Sequence, residues 1–317
     1  MIVRQALPWP LVLVIGGVAQ GEAMAQNPSA QKKLTKLPEK LGTNVMESTP
    51  LLYEGRRLMF HSRRVDVPKA DLGQMYLFLV DQETGKELSR FGARHSLGSA
   101  LVRGDEIHVF AANHTEKDWF HDIYHFRSTN LRTWTRELAI RREGDEHLLN
   151  SSVCHDEQGF LMAYESNQPV AFCFKFARSR DLVIWEKIPG LVFTGEKNEH
   201  SACPVIRYCK PYYYAIYLHA AIQGHNGWVS FLARSKDLAT WQLSPKNPIL
   251  EAGEGEGSNN SDVDLIEING KTYVYYATGD QQTWGDLKCA VYPGRMREFF
   301  ESYFPESEGM IELSAKR

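Results

Sequence analysis

Ser179-Arg180-Asp181-Leu182-Val183-Ile184-Trp185 has two companions in this chain, Ser128-Thr129-Asn130-Leu131-Arg132-Thr133-Trp134 and Ser235-Lys236-Asp237-Leu238-Ala239-Thr240-Trp241. Their tryptophans lie 51 and 56 residues apart. Each copy follows an alternating aromatic run (124–127, 174–178 and 231–234) and leads into another short strand-like stretch. A period of this size, built from strands and not helices, marks a β-propeller array. Outward from the copies, strand signals between residues 44 and 304 group into five sets. Turns such as Glu54-Gly55, Arg103-Gly104-Asp105 and Asn269-Gly270 separate them. Such close spacing leaves no room for helical crossovers, which excludes a parallel sheet. The fold class expected is all-β: a single-domain, five-bladed β-propeller over residues 44–317. The fifth set lacks an outer strand, and either the segment before Asn44 or the tail 310–315 is expected to close the ring.

In a propeller blade the innermost strand leaves one face, and the D-to-A connections and B–C loops share that face around the channel mouth. The Ser-x-Asp/Asn-Leu-x-x-Trp phrase then falls on C–D hairpins, at the opposite end. Its Ser and Asp/Asn suit the turn backbone, and its Leu and Trp suit packing between blades. Chemistry is expected where the copies differ. The strand-A openings carry Glu47, His95, Glu146-His147 with Asn150, Glu199-His200-Ser201 and Asn260-Ser261-Asp262-Val263-Asp264. The B–C loops carry Arg63-Arg64, Asp118-Trp119 with His121, Glu165-Ser166-Asn167, residues 219–226 and Asp280 to Trp284.

Acids, histidines and tryptophans brought to one rim from distant segments suit glycosidic cleavage. That reaction needs one carboxylic acid to protonate the leaving oxygen and one carboxylate as base or nucleophile, facing each other across the sugar. Glu47, Glu199, Asp262 and Asp264 are the catalytic candidates. Asp262 and Asp264 share strand parity and are expected to point the same way. The plainer readings are an Asx-turn for Asp262 and a loop cap for Glu199. Trp119 and Trp284 are candidates for stacking on sugar rings, whereas Trp228, at a strand start, suits the core. His121 and His200 are candidates for hydroxyl contacts or for tuning a carboxylate, although a lone His is more often structural. Arg63 suits a carboxylated or sulfated sugar, or equally an ion pair with a rim acid.

The 317 residues carry a net charge of −3, which argues against nucleic acid as a partner. Arg4, the apolar stretch 11–19 and Ala23-Met24-Ala25 read as a signal peptide over residues 1–25, with a polar linker over 26–43. The apolar stretch is too short to span a bilayer, so no membrane insertion is expected, and the mature protein is expected to be periplasmic or extracellular. Five cysteines without Cys-x-x-Cys spacing argue against a disulfide framework or a zinc site and suit buried free thiols. No cofactor is expected; a channel histidine leaves room for a metal ion, but no ligand spacing supports one.

With these features the chain resembles the five-bladed β-propeller glycoside hydrolases, the superfamily of families 32, 43, 68 and 117. The resemblance is carried by the three hairpins, by Ser201-Ala202-Cys203-Pro204 opening a strand, and by Asn260-Ser261-Asp262-Val263-Asp264 ahead of Tyr273-Val274-Tyr275-Tyr276. It implies hydrolysis of furanosides or related glycans by a base and an acid in the central funnel, sometimes with a third carboxylate. An oligo- or polysaccharide is then the expected partner. No Trp-Met-Asn-Asp-Pro or Arg-Asp-Pro occurs here. The Glu that family 43 carries two residues before a strand-opening Pro is replaced by Ala202, with Glu199 further upstream. Two rival readings are a sialidase-like hydrolase, whose box carries a Gly absent here, and a non-catalytic carbohydrate-binding propeller. Binding propellers tend to repeat one site in every blade, and this rim differs from blade to blade.

Overall fold

Runs of β-branched and aromatic residues, cut by Gly-containing turns, set short strands that pair with their sequence neighbours. A computed structural model describes residues 33–43, 45, 47–63, 74–115, 120–170, 172–195, 201–219, 228–280, 284–305 and 311–314. Two short strands, β1 (Thr35–Lys36) and β2 (Gly42–Thr43), come first. Blade 1 is β3 (Thr49–Tyr53), β4 (Arg56–Arg63), β5 (Tyr76–Asp81) and β6 (Glu87–Phe91). Blade 2 is β7 (His95–Arg103), β8 (Glu106–Asn113), β9 (Ile123–Ser128) and β10 (Thr135–Ile140). Blade 3 is β11 (Leu148–Asp156), β12 (Gly159–Ser166), β13 (Cys173–Ser179) and β14 (Glu186–Phe193). Blade 4 is β15 (Ser201–Cys209), β16 (Tyr212–His219), β17 (Val229–Ser235) and β18 (Thr240–Leu243). Blade 5 is β19 (Ser261–Ile268), β20 (Lys271–Gly279) and β21 (Trp284–Tyr292), followed by the helix α1 (Met296–Glu301) and by β22 (Ile311–Ser314).

Every blade is an antiparallel meander, and the first strands of neighbouring blades touch in a ring, β3–β7–β11–β15–β19 and back to β3. The expected five-bladed, all-β architecture is therefore the observed one. Ring closure comes from the front of the chain: β1 and β2 both pair with β21, completing blade 5. The tail strand β22 instead pairs with β18 and adds a fifth strand to blade 4. So the stretch 26–43, read from sequence as a linker, holds two strands within its described residues. The signal-like residues 1–25 lie outside the description. Among the described residues no helix is long and apolar enough to cross a membrane.

The core is divided among the blade junctions. One cluster joins blades 1 and 2 around Phe60 and Val109, and another joins blades 2 and 3 around Phe110 and Met162. Phe193 and Trp241 centre the junction of blades 3 and 4, and Tyr276 with Phe299 and Phe300 of α1 that of blades 4 and 5. The junction of blades 5 and 1 is the thinnest, with Met59, Tyr275, Leu287 and Cys289 at its centre.

The three phrases are C–D hairpins with one hydrogen-bond plan. In each, the Ser hydroxyl accepts the Leu N–H, at 2.9, 2.9 and 2.8 Å in chain order. The Asp or Asn Oδ1 accepts the next two free N–H groups, for instance Val183 at 2.8 Å and Ile184 at 2.9 Å. These bonds let Leu131, Leu182 and Leu238 hold left-handed backbone (φ 60°, 74° and 64°), a conformation that costs a non-glycine residue on the order of 1 kcal/mol. The Trp185 and Trp241 indoles donate to the carbonyls of Leu182 and Leu238, both at 2.9 Å. Each Leu and Trp packs on the preceding blade.

Candidate functional site

At the opposite end, the strand-A openings share a backbone irregularity. The ladder breaks register between Ser96 and Ser99, Leu148 and Ser151, Ala202 and Val205, and Ser261 and Asp264. Leu97, Cys203 and Asp262 sit at these bulges with φ of 54°, 50° and 50°, and Glu47, just ahead of β3, has φ 54°. A bulge adds one residue to a strand and re-aims its side chain. At two of these bulges the left-handed residue, Cys203 or Asp262, lines the channel cavity together with Glu47.

Three of these side chains meet. Glu47, Cys203 and Asp262, from blades 1, 4 and 5, each place one donor or acceptor atom within 4.8 Å of the others. The Cys203 thiol donates to Asp262 Oδ1 at 3.1 Å, and the Ser261 hydroxyl donates to Asp262 Oδ2 at 2.5 Å. Blade 3 supplies the underpinning. Buried Glu165, near the end of β12, accepts the Cys203 backbone N–H at 2.8 Å and the Asn150 amide at 2.9 Å, both on Oε2. Asn150 Nδ2 also lies 3.1 Å from the Cys203 sulfur. A small cavity of about 30 Å³ lies among them, lined by Glu47, Asn150, Cys203 and Asp262. That is room for about one water.

Burial pushes the Cys203 thiol well above its ordinary range, and Asp262, Glu165 and Glu47 push it the same way. The thiol therefore keeps its proton. Among the described residues this is the one group with three donor atoms close enough to hold a metal ion. The contact within it is the hydrogen bond from the Cys203 sulfur to Asp262.

The parity expected of Asp262 and Asp264 fails because the bulge lies between them. Asp262 turns to the Cys203 sulfur, while Asp264 forms a buried ion pair with Arg207 of β15. Burial raises the Asp264 carboxyl, and Arg207 draws it back. Asp264 lines the same channel as a clamp between blades 4 and 5. Arg63 is not in this group: it ends β4 at the surface and borders a separate hollow with Gln74, Tyr76 and Arg90. His121 is half-buried, its Nδ1 3.2 Å from Asp122 Oδ2, and does not line the small cavity. Glu199, His200 and Trp119 lie outside the described residues. Trp284 opens β21 with its backbone paired to Gly279, and its side chain lies outside the description. Trp228 precedes β17, where its N–H donates to Asn259 Oδ1 at 2.9 Å.

Three members of the cluster were legible only in part. Glu165 and Asn150 stand in the rim inventory without a role, and Cys203 reads from sequence as a buried thiol. The signal for Glu165 is a carboxylate closing the apolar run Phe160 to Tyr164 at the channel end of an inner strand. Cys203 gives no such signal, because its partners come from three other blades.

No protein-family model matches this chain, and no curated protein matches it. Solved structures do match. BT0996, solved as an RGII complex, aligns at a TM-score of 0.66 and 15% identity, covering 82% of this chain and 94% of its own length. The GH32 β-fructofuranosidase BmSUC1 of Bombyx mori aligns at 0.59 and 12% identity, over 83% of this chain and 63% of its own. GH43 BlXynB of Bacillus licheniformis aligns at 0.58 and 13%, over 81% of this chain and 54% of its own. At such identities the likeness establishes the fold: this chain is built as the five-bladed propeller that those glycoside hydrolases share.

Proposed function

We propose that the protein is an exported glycoside hydrolase that cleaves a plant, algal or microbial glycan by carboxylate chemistry at the channel mouth. One observation carries this reading: carboxylates from blades 1 and 5, Glu47 and Asp262, each bring an oxygen within 4.8 Å of the other beside a small cavity. A carboxyl separation of about 5–5.5 Å belongs to retaining glycosidases, and about 6.5–9.5 Å to inverting ones that hold a water between the pair. One oxygen of Glu47 and one of Asp262 lie within 4.8 Å of each other, a nearest approach that the closer, retaining arrangement accommodates. Asp262 has both oxygens held by donors, which fixes its orientation for the role of nucleophile at the anomeric carbon. Glu47 then protonates the leaving oxygen and, in the second step, takes a proton from the attacking water. Glu199 is a second candidate for the acid, and Trp119, Trp284, His121 and His200 for contacts along the sugar chain. Asp264 acts in this scheme as the clamp on Arg207. Export rests on the signal-like residues 1–25, and the glycan class draws support from a neighbour held in an RGII complex.

The test is a panel of polysaccharides and oligosaccharides assayed for new reducing ends with the wild type and Asp262→Asn. Hydrolysis by the wild type, lost in the variant and with the anomeric configuration retained by NMR, supports the reading. Binding without cleavage by the wild type moves the protein to the carbohydrate-binding propellers instead.

A further inference from the structure

We propose that Cys203 is a positioning residue whose thiol is a fixed hydrogen-bond donor holding Asp262 in its carboxylate form and in its attacking orientation. This rests on the glycosidase reading and assigns the site a residue type that acid–base inventories pass over.

The direction of the bonds follows from what each group can do. An amide nitrogen only donates, so Asn150 Nδ2, 3.1 Å from the sulfur, gives its proton to it. The sulfur's own proton then goes to Asp262 Oδ1, at 3.1 Å. Glu165 fixes the whole arrangement by accepting both the Asn150 amide and the Cys203 N–H. The thiol thus cannot swing away without breaking a bond to blade 3. Its surroundings also decide its charge state. The carboxylates facing it are Glu47 ahead of β3, Glu165 on β12 and Asp262 on β19. Arg207 of β15, two residues beyond Val205 on the same strand as Cys203, is taken up by Asp264. Reactive cysteines ionise beside positive charge. This one faces negative charge, so it acts as a neutral donor and not as a thiolate nucleophile.

The backbone adds an independent observation. Cys203 holds φ 50°, a conformation that glycine adopts without strain and other residues at a cost of roughly 1–3 kcal/mol. Glycine would be the easier residue, and the side chain that occupies the position is the one aimed at Asp262.

Removing the donor makes the Asp262 carboxylate less favourable, so its pKa rises and a higher pH is needed to ionise it. Cys203→Gly, which suits the local backbone, is expected to move the acid limb of the kcat/KM profile up by about 1 pH unit. At the acid edge the rate falls ~10-fold with KM little changed, a shift worth about 1.4 kcal/mol. Cys203→Ser, which restores a hydroxyl donor, is expected to return the limb close to its wild-type position. The same shift is readable without substrate, by 13C NMR titration of the Asp262 carboxyl in the full chain. An unmoved Asp262 titration in Cys203→Gly, or a uniform loss of rate at every pH that Ser does not rescue, overturns the assignment. Absence of any hydrolysis by the wild type counts against the glycosidase reading instead, and the NMR titration then still decides the role of Cys203.

Discussion

The two ends of the propeller repeat different things. At the hairpin end, three blades repeat side chains and bonds together: Ser, Asp or Asn, Leu and Trp, with the same hydroxyl and carboxylate contacts to the turn. At the channel end, the backbone repeats and the side chains do not. Left-handed residues recur at four strand openings, yet they are Glu47, Leu97, Cys203 and Asp262. The fold therefore requires the hairpin residues, whereas the strand openings require only the conformation. A position whose backbone is fixed while its side chain is open to choice is where one blade can carry a carboxylate and its neighbour a thiol.

Substitutions at the two ends should separate activity from stability. The largest effect is expected from Asp262→Asn, which should lower kcat/KM by ~10³-fold or more with the melting temperature nearly unchanged. A melting temperature that collapses along with activity would place Asp262 with the scaffold. At the hairpin end, Trp241→Ala empties a fully buried site in the junction of blades 3 and 4 and should cost about 4 kcal/mol in denaturant unfolding. Activity per folded molecule should stay close to wild type. Arg207→Met tests the boundary between the two ends, since it leaves Asp264 buried without its cation. The expected loss is about 3 kcal/mol, read by the same unfolding curves. The smallest stability effect is expected from Asp237→Ala, which removes an acceptor for the N–H groups of Ala239 and Thr240, at about 1 kcal/mol.

Acid offers a fifth test, in the connection that leads from blade 4 into the opening of β19. Burial pushes the Glu256 carboxyl up, but Lys36, the Gly253 N–H, Asn260 and Tyr276 more than reverse this and hold it at about 2. Its folded pKa thus lies below the ordinary carboxylate value of 4.5. The stability it contributes is complete above that value and drains away as pH falls from there towards 2. Lys36→Met should flatten this part of the stability–pH curve, and an unchanged acid limb would show that Lys36 does not set it.

The sequence made the blade count and phase legible because the hairpin phrase is held by local contacts, three residues apart. It made Glu47 and Asp262 legible because strand openings can be counted from that phrase. It misplaced Asp264 because counting parity assumes an unbroken strand, and the bulge after Ser261 breaks it. The partnership of Cys203 with Asp262 joins residues 59 apart in sequence, and that of Asn150 with Cys203 joins residues 53 apart. Contacts of this kind leave no mark in spacing or periodicity. Arg63 drew notice through its residue type and its place in a B–C loop, and at the end of β4 it borders a hollow separate from the small cavity.

The pairing of β1 and β2 with β21 has a bearing on how the molecule comes into being. Residues 35–43 leave the ribosome well before their partners at 286–291 are made. Blades 1 to 4 can assemble hairpin by hairpin as the chain lengthens, but the circle stays open until blade 5 arrives. The seam then joined, between blades 5 and 1, is the one with the thinnest apolar core. Lys36, anchored on Glu256 and on Asn260 at 2.6 Å, acts there as a latch. Glu47 and Asp262 come from the two blades on either side of that seam, so the proposed catalytic pair does not come together until β21 is in place and the circle has shut.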